Sequence, residues 1–251
     1  MPSLRQLRRL LLVGVPVIAL GAASEPRATP GTPADDRGAA ATVEGRVEIS
    51  RALTARRPRF RIYAEPGAGA RPPADEPNER DEHRNIIVYI ERVPAGSTSA
   101  STERAVLRQR GERFAPHVLP VLRGSTVDFP NDDVLFHNVF SLSRAKEFDL
   151  GRYPRGTSRS VTFDRPGIVQ VFCHIHSDMS AVVLVLDNPY FAVPDAEGRY
   201  SIPDLPPGDY TLVAWHERIR PVSHRLHLEP GQLARVDFTV PLPAAEAARE
   251  R

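Results

Sequence analysis

A single cysteine, Cys173, is all that the 251-residue chain offers. That scarcity excludes an intramolecular disulfide, a Cys-rich zinc module, a thiolate-held iron–sulfur cluster and a CxxCH haem attachment. Any metal held here takes at most one thiolate. Aromatic residues are sparse at 7%, whereas prolines number 25. Proline costs roughly 3 kcal/mol inside a helix and suits turns and strand ends, so an all-β chain is expected. No sustained helical period appears, apart from a short stretch at 244–251. Gly-rich phosphate loops and a GxSxG elbow are also missing, so the chain is not read as an enzyme.

Long apolar runs are absent except from Leu10 to Leu20. That run follows Arg5, Arg8 and Arg9 and precedes Gly21, Ala22 and Ala23, the pattern of a secretory signal cleaved after Ala23. It is too short to span a bilayer comfortably, so an exported protein without stable membrane insertion is expected. Losing the three arginines takes the formal charge from +2 to −1. The remaining basic residues interleave with acids and form no stripe, so nucleic acid is not expected as a partner.

Residues 24–41 combine Pro, Gly, Ala and charge with no apolar period and read as a disordered tether; 65–85 read as a long loop. Short strands are expected at 42–50, 58–64, 86–93, 104–110, 117–129 with a break at Gly124, 134–141, 159–164, 168–173 and 181–187. Others follow at 189–193, 199–203, 209–216, 222–228 and 233–240. So many strands at close spacing imply sandwiches or Greek-key barrels. The run Ala181 to Leu186 is apolar at both parities, as in a strand covered on both faces.

Chemistry concentrates in two places. Cys173-His174-Ile175-His176-Ser177-Asp178-Met179 follows one strand, and Phe136-His137-Asn138-Val139-Phe140 stands on another. A Cys and two His in a plane with a weak axial Met make a type 1 copper centre, so His137, Cys173, His176 and Met179 are read as ligands of one copper ion. Asn138 is read as their outer partner, tying the His137 strand end to the Cys173 loop. Alternation turns His174 away from Cys173, which leaves it out of the ligand set. Met179 or Cys173 alone would be ordinary core residues; their spacing with His176 carries the reading.

The stretch Phe114 to Leu186, with FAPHVLPVLRGSTVDFPNDDVLFHNVF and FCHIHSDM, resembles the cupredoxins, and its short ligand loop resembles amicyanin-like members. A likeness to bacterial methylamine-utilisation-type proteins extends over most of the mature chain. The resemblance implies a periplasmic carrier of single electrons whose partner is another periplasmic redox protein, met through an apolar patch near His176. The alternative is a protein that stores, senses or delivers copper without an electron-transfer role. From Asn188 onward, Gly198-x-Tyr200-x-Ile202 and Leu205-Pro206-Pro207-Gly208-x-Tyr210-x-Leu212 resemble carboxypeptidase regulatory-like, transthyretin-like sandwiches.

Remaining histidines are read otherwise. His216-Glu217 starts like a zinc-binding HExxH, but Arg220 stands where the second His is needed. His224 and His227 fall on opposite strand faces. The expected organisation is a signal peptide at 1–23, a tether at 24–41, a discontinuous regulatory-like sandwich from 42–95 and 189–241, a cupredoxin domain at 101–188 inserted in it, and a tail at 242–251. Val43-Glu44-Gly45-Arg46-Val47 and Ile86 to Glu91 supply the two strands that the C-terminal sandwich lacks.

Overall fold

The computed structural model describes residues 39–49, 82–93 and 101–240. The signal peptide at 1–23, most of the tether, the strand expected at 58–64, most of the 65–85 loop and the tail at 242–251 lie outside the described residues. All described residues fall within the unit Arg37–Arg251, and every named element among them is a strand.

Two sandwiches are built from the chain. In the first, β1 (Ala41–Ile49) pairs antiparallel with β14 (Arg199–Leu205) and parallel with β17 (Leu233–Arg235) and β18 (Phe238–Val240). The opposite sheet runs β13 (Phe191–Ala192), β2 (Ile87–Ile90), β15 (Gly208–Trp215), β16 (Val222–Leu228). Val43, Val47, Val88, Ile90, Ile202, Leu212 and Phe238 fill the space between them.

The second sandwich lies between β2 and β13 in chain order. Its larger sheet runs β6 (Val118–Leu122), β12 (Ser180–Leu186), β11 (Gly167–Phe172), β8 (His137–Ser143), β9 (Lys146–Tyr153). The smaller runs β10 (Ser158–Thr162), β7 (Thr126–Pro130), β3 (Arg104–Val106), with β4 (Arg108–Gln109) and β5 (Phe114–Ala115) paired apart. Phe129, Val139, Phe163, Val169 and Val183 belong to its core, together with Cys173 and Met179.

β12 is the seam between the two. Ala181, Val183 and Val185 enter the core shared with Cys173, while Val182, Leu184 and Leu186 pack against Ile87 and Trp215 from the first sandwich. Period-2 alternation explains both sets, because successive side chains leave opposite faces of the sheet. The apolar run at 181–186 is therefore covered twice.

Several expectations change in detail. Ala41, assigned to the tether, is fully buried in β1. The described end of the 65–85 loop is a helical turn at 82–85, closed by bonds from Asn85 N–H to Glu82 O and Ile86 N–H to His83 O. β9 was not expected at all. Its sequence KEFDLGRY places Gly151 at φ +65° within the strand. The register shifts by one residue here: Leu150 and Gly151 of β9 stand opposite Val139 of β8, so the extra residue belongs to β9.

Candidate metal centre

Antiparallel pairing builds the site. Phe172 at the end of β11 faces Phe140 in β8, so the chain beyond Phe172 runs toward His137 at the start of β8. The loop then closes on itself: Met179 N–H donates to His176 O at 3.0 Å, and Cys173 N–H donates to Met179 O at 3.2 Å. Four chemically useful side chains are thereby gathered at one end of the sandwich.

Three of them converge. His137 Nδ1 and His176 Nδ1 are 3.1 Å apart, and Cys173 Sγ lies 4.0 Å from the first and 3.9 Å from the second. Together they form the one cluster of metal-binding type among the described residues. Donors bound at about 2.0–2.3 Å to one ion stand roughly 3–4 Å apart, so this set fits a single first-row metal ion. One thiolate with two imidazoles is the donor chemistry of copper. Met179, 1% exposed, is buried in the same core as Cys173.

Burial is uneven. His137 is fully buried and Cys173 nearly so, whereas His176 is half-buried. His176 is the donor of the three nearest to solvent.

The orientation of His137 comes from a residue that the sequence analysis did not select. Asp133 Oδ2 accepts from His137 Nε2–H at 2.8 Å, which turns Nδ1 of the ring toward Cys173 and His176. Asp133 is itself fastened by the N–H groups of Gly111 at 2.6 Å and Glu112 at 2.9 Å. Burial alone would raise its carboxyl, but those two N–H groups and His137 hold it below the usual carboxylate range. Nothing in the run Asn131-Asp132-Asp133 distinguishes it from an ordinary turn; only folding brings Gly111 and Glu112 to it. Asp133→Ala is expected to weaken copper binding by about 10–100-fold, as measured by competition with a chelator. Unchanged affinity would show that Asp133 does not orient His137.

Asn138 behaves differently from its expected role. Its amide donates to Asp149 Oδ1 on β9 at 2.7 Å, and its buried Oδ1 has no hydrogen-bond partner in the structure. It ties β8 to β9 instead of to the Cys173 loop. His174 lies outside the cluster, exposed, with its ring stacked on Phe140 at 3.7 Å and 7° between planes. His216 is buried at the end of β15 beside Glu82. His224 packs edge-on against Phe238 and His227 pairs with Asp209.

Among the described residues, no helix is long and apolar enough to cross a membrane. Among curated proteins no match is found. A Cu-containing nitrite reductase (NirK) from Thermus scotoductus SA-01 is similar at 25% identity over 38% of this chain, with a TM-score of 0.33. The chain spans only 25% of that enzyme. An amicyanin variant in the Cu(I) state is similar at 22% identity over 39% of this chain and 98% of its own, with a TM-score of 0.32. A purple cupredoxin from Nitrosopumilus maritimus is similar at 21% identity over 34% of this chain and 99% of its own, with a TM-score of 0.29. Residues 179–241 match the family model of the carboxypeptidase regulatory-like domain. The C-terminal part of this chain is thus similar to the carboxypeptidase regulatory-like domain.

Proposed function

We propose that this chain is a type 1 copper protein, exported to the periplasm, that carries single electrons between redox partners and is not itself an enzyme. The observation that carries the reading is the convergence of His137 Nδ1, Cys173 Sγ and His176 Nδ1 within 4.8 Å of one another. Copper in such a set supplies reversible one-electron chemistry. The protein's part is to hold soft and borderline donors in a geometry that neither oxidation state strongly rejects.

Burial favours carriage over delivery. His137, Cys173 and Met179 are at most 5% exposed, which restricts ligand exchange, while half-buried His176 offers an edge to a partner. Val134, Leu135 and Phe136 just before His137 and Ile175 just before His176 are exposed apolar residues. They suit a brief, largely apolar encounter with a periplasmic redox protein.

The proposed organisation is a copper module at 101–188 set into a regulatory-like sandwich made from 42–95 and 189–241. The partition is supported by the pairing of β1 with β14, β17 and β18, and of β2 with β13 and β15.

Adding Cu(II) to the mature protein tests the proposal. An intense visible band and a narrow copper hyperfine splitting, with reversible one-electron cycling, are expected. Stoichiometric copper that is released on reduction would favour storage or delivery, and no bound copper would overturn the reading. Met179→Leu is expected to retain copper and raise the reduction potential, since loss of the weak thioether bond disfavours Cu(II). An unchanged potential in voltammetry would remove Met179 from the ligand set.

A further inference from the structure

We propose that His117 is a positioning residue for the metal loop, through which the regulatory-like sandwich governs where Met179 sits; the inference rests on the copper reading above. His117 immediately precedes β6, and its backbone carbonyl accepts from Val182 N–H at 2.8 Å. Its ring Nδ1–H donates to Ser180 O at 3.1 Å. Ser180 is the residue after Met179. His117 therefore grips the start of β12 at two points, 180 and 182, while Met179 O is held from the other side by Cys173 N–H.

The far nitrogen connects this grip to the first sandwich. Nε2 lies 2.9 Å from Glu217 Oε1, in the turn between β15 and β16. That turn is itself braced: Ile219 N–H donates to His216 O at 3.3 Å, and Arg218 N–H donates to His216 Nδ1 at 3.2 Å. His216, 1% exposed, stands 3.1 Å from Glu82 Oε1, which also receives Arg218 Nη1 at 3.2 Å. Asn85 Nδ2 donates to the other Glu82 oxygen at 3.1 Å. Burial alone would raise the Glu82 carboxyl, but His216, Asn85 and Arg218 hold it below the usual range, so it stays an anionic anchor.

Glu217 is consequently presented from a rigid platform, and the seam beside it is closed by Trp215 against Val118, Val182 and Leu184. Both ring nitrogens of His117 face oxygen atoms, so the ring spans the two sandwiches. An axial thioether bond is weak and long, and its placement tunes the potential of the centre. A strut one residue away controls that placement without touching the metal ligands.

The test uses the full mature chain with His117→Phe, Glu217→Ala and Glu217→Gln. In the metal-free protein, Glu217→Ala and His117→Phe are expected to speed amide exchange at Cys173 and Met179 about tenfold, with β16 amides unchanged. In the Cu(II)-loaded protein the same two variants are expected to alter the visible spectrum and reduction potential. Glu217→Gln keeps an acceptor oxygen and is expected to restore both. Unchanged loop exchange in Glu217→Ala, or an equal rise in β16, would overturn the proposal. Failure of the unaltered protein to bind copper would remove the electron-carrier reading alone, and the exchange ratio still decides the role of His117.

Discussion

Cys173→Ser is expected to abolish the intense visible absorption of the Cu(II)-loaded protein, whereas His174→Ala leaves it largely in place. The band requires a copper–thiolate bond, and Cys173 is the one cysteine in the chain. Its sulfur lies 4.0 and 3.9 Å from the two converging imidazole nitrogens, and a serine hydroxyl there is a harder and poorer donor for copper. His174, although covalently next to Cys173, spends its ring on Phe140, stacked at 3.7 Å on the outer face of the sheet. Absorption spectra of the two variants at equal copper loading check this. Colour retained in Cys173→Ser, or lost in His174→Ala but kept in His176→Ala, would show the ligand set to be wrong.

The second large effect lies far from the metal. Gly45→Ala is expected to destabilise the protein by about 3 kcal/mol or more, because the added methyl has no room. A Cβ at Gly45 would stand 1.7 Å from Val236 O and 2.6 Å from Val236 C, both backbone atoms. Here β1 passes from β17 to β18, and the crossing chain is fastened on both sides. Val236 N–H donates to Glu44 O at 2.9 Å, Arg46 N–H to Asp237 Oδ1 at 2.7 Å, and the Tyr200 hydroxyl to Val236 O at 2.6 Å. Relieving the clash means moving all three bonds and drawing Phe238 and Val240 from the core. Urea unfolding at unchanged m-value measures the loss. A change under about 0.5 kcal/mol, the ordinary range for a surface substitution, would show that β1 is not packed against Val236.

Much of the fold was legible because strands write a short-range signal. The double apolar parity of 181–186 announced a strand covered on both faces, and Tyr210, Leu212 and Ala214 point into the core as their alternation required. The strand at 146–153 was not expected, and it pairs with β8 across a shift of register. A bulge shifts register by one residue, and a single sequence does not reveal where a strand takes up an extra one.

The candidate donors were legible for a related reason: Cys173 and His176 lie three residues apart, so their spacing reports their proximity directly. His137 came from its chemistry, since one more imidazole was needed. By itself, then, the sequence determined the all-β character, the donor set of one thiolate and two imidazoles, and the strand that bears the junction. Tertiary structure alone decided that Asp133 fastens His137, that Asn138 turns to Asp149 and that His117 joins Ser180 to Glu217. Each of these contacts pairs ordinary polar residues whose types carry no signal, across 4, 11, 63 and 100 positions. Even the shortest span crosses a loop whose path is set by bonds to Gly111 and Glu112. Hydrogen bonds act over about 3 Å in space, so such partners exist only once the sheets have packed.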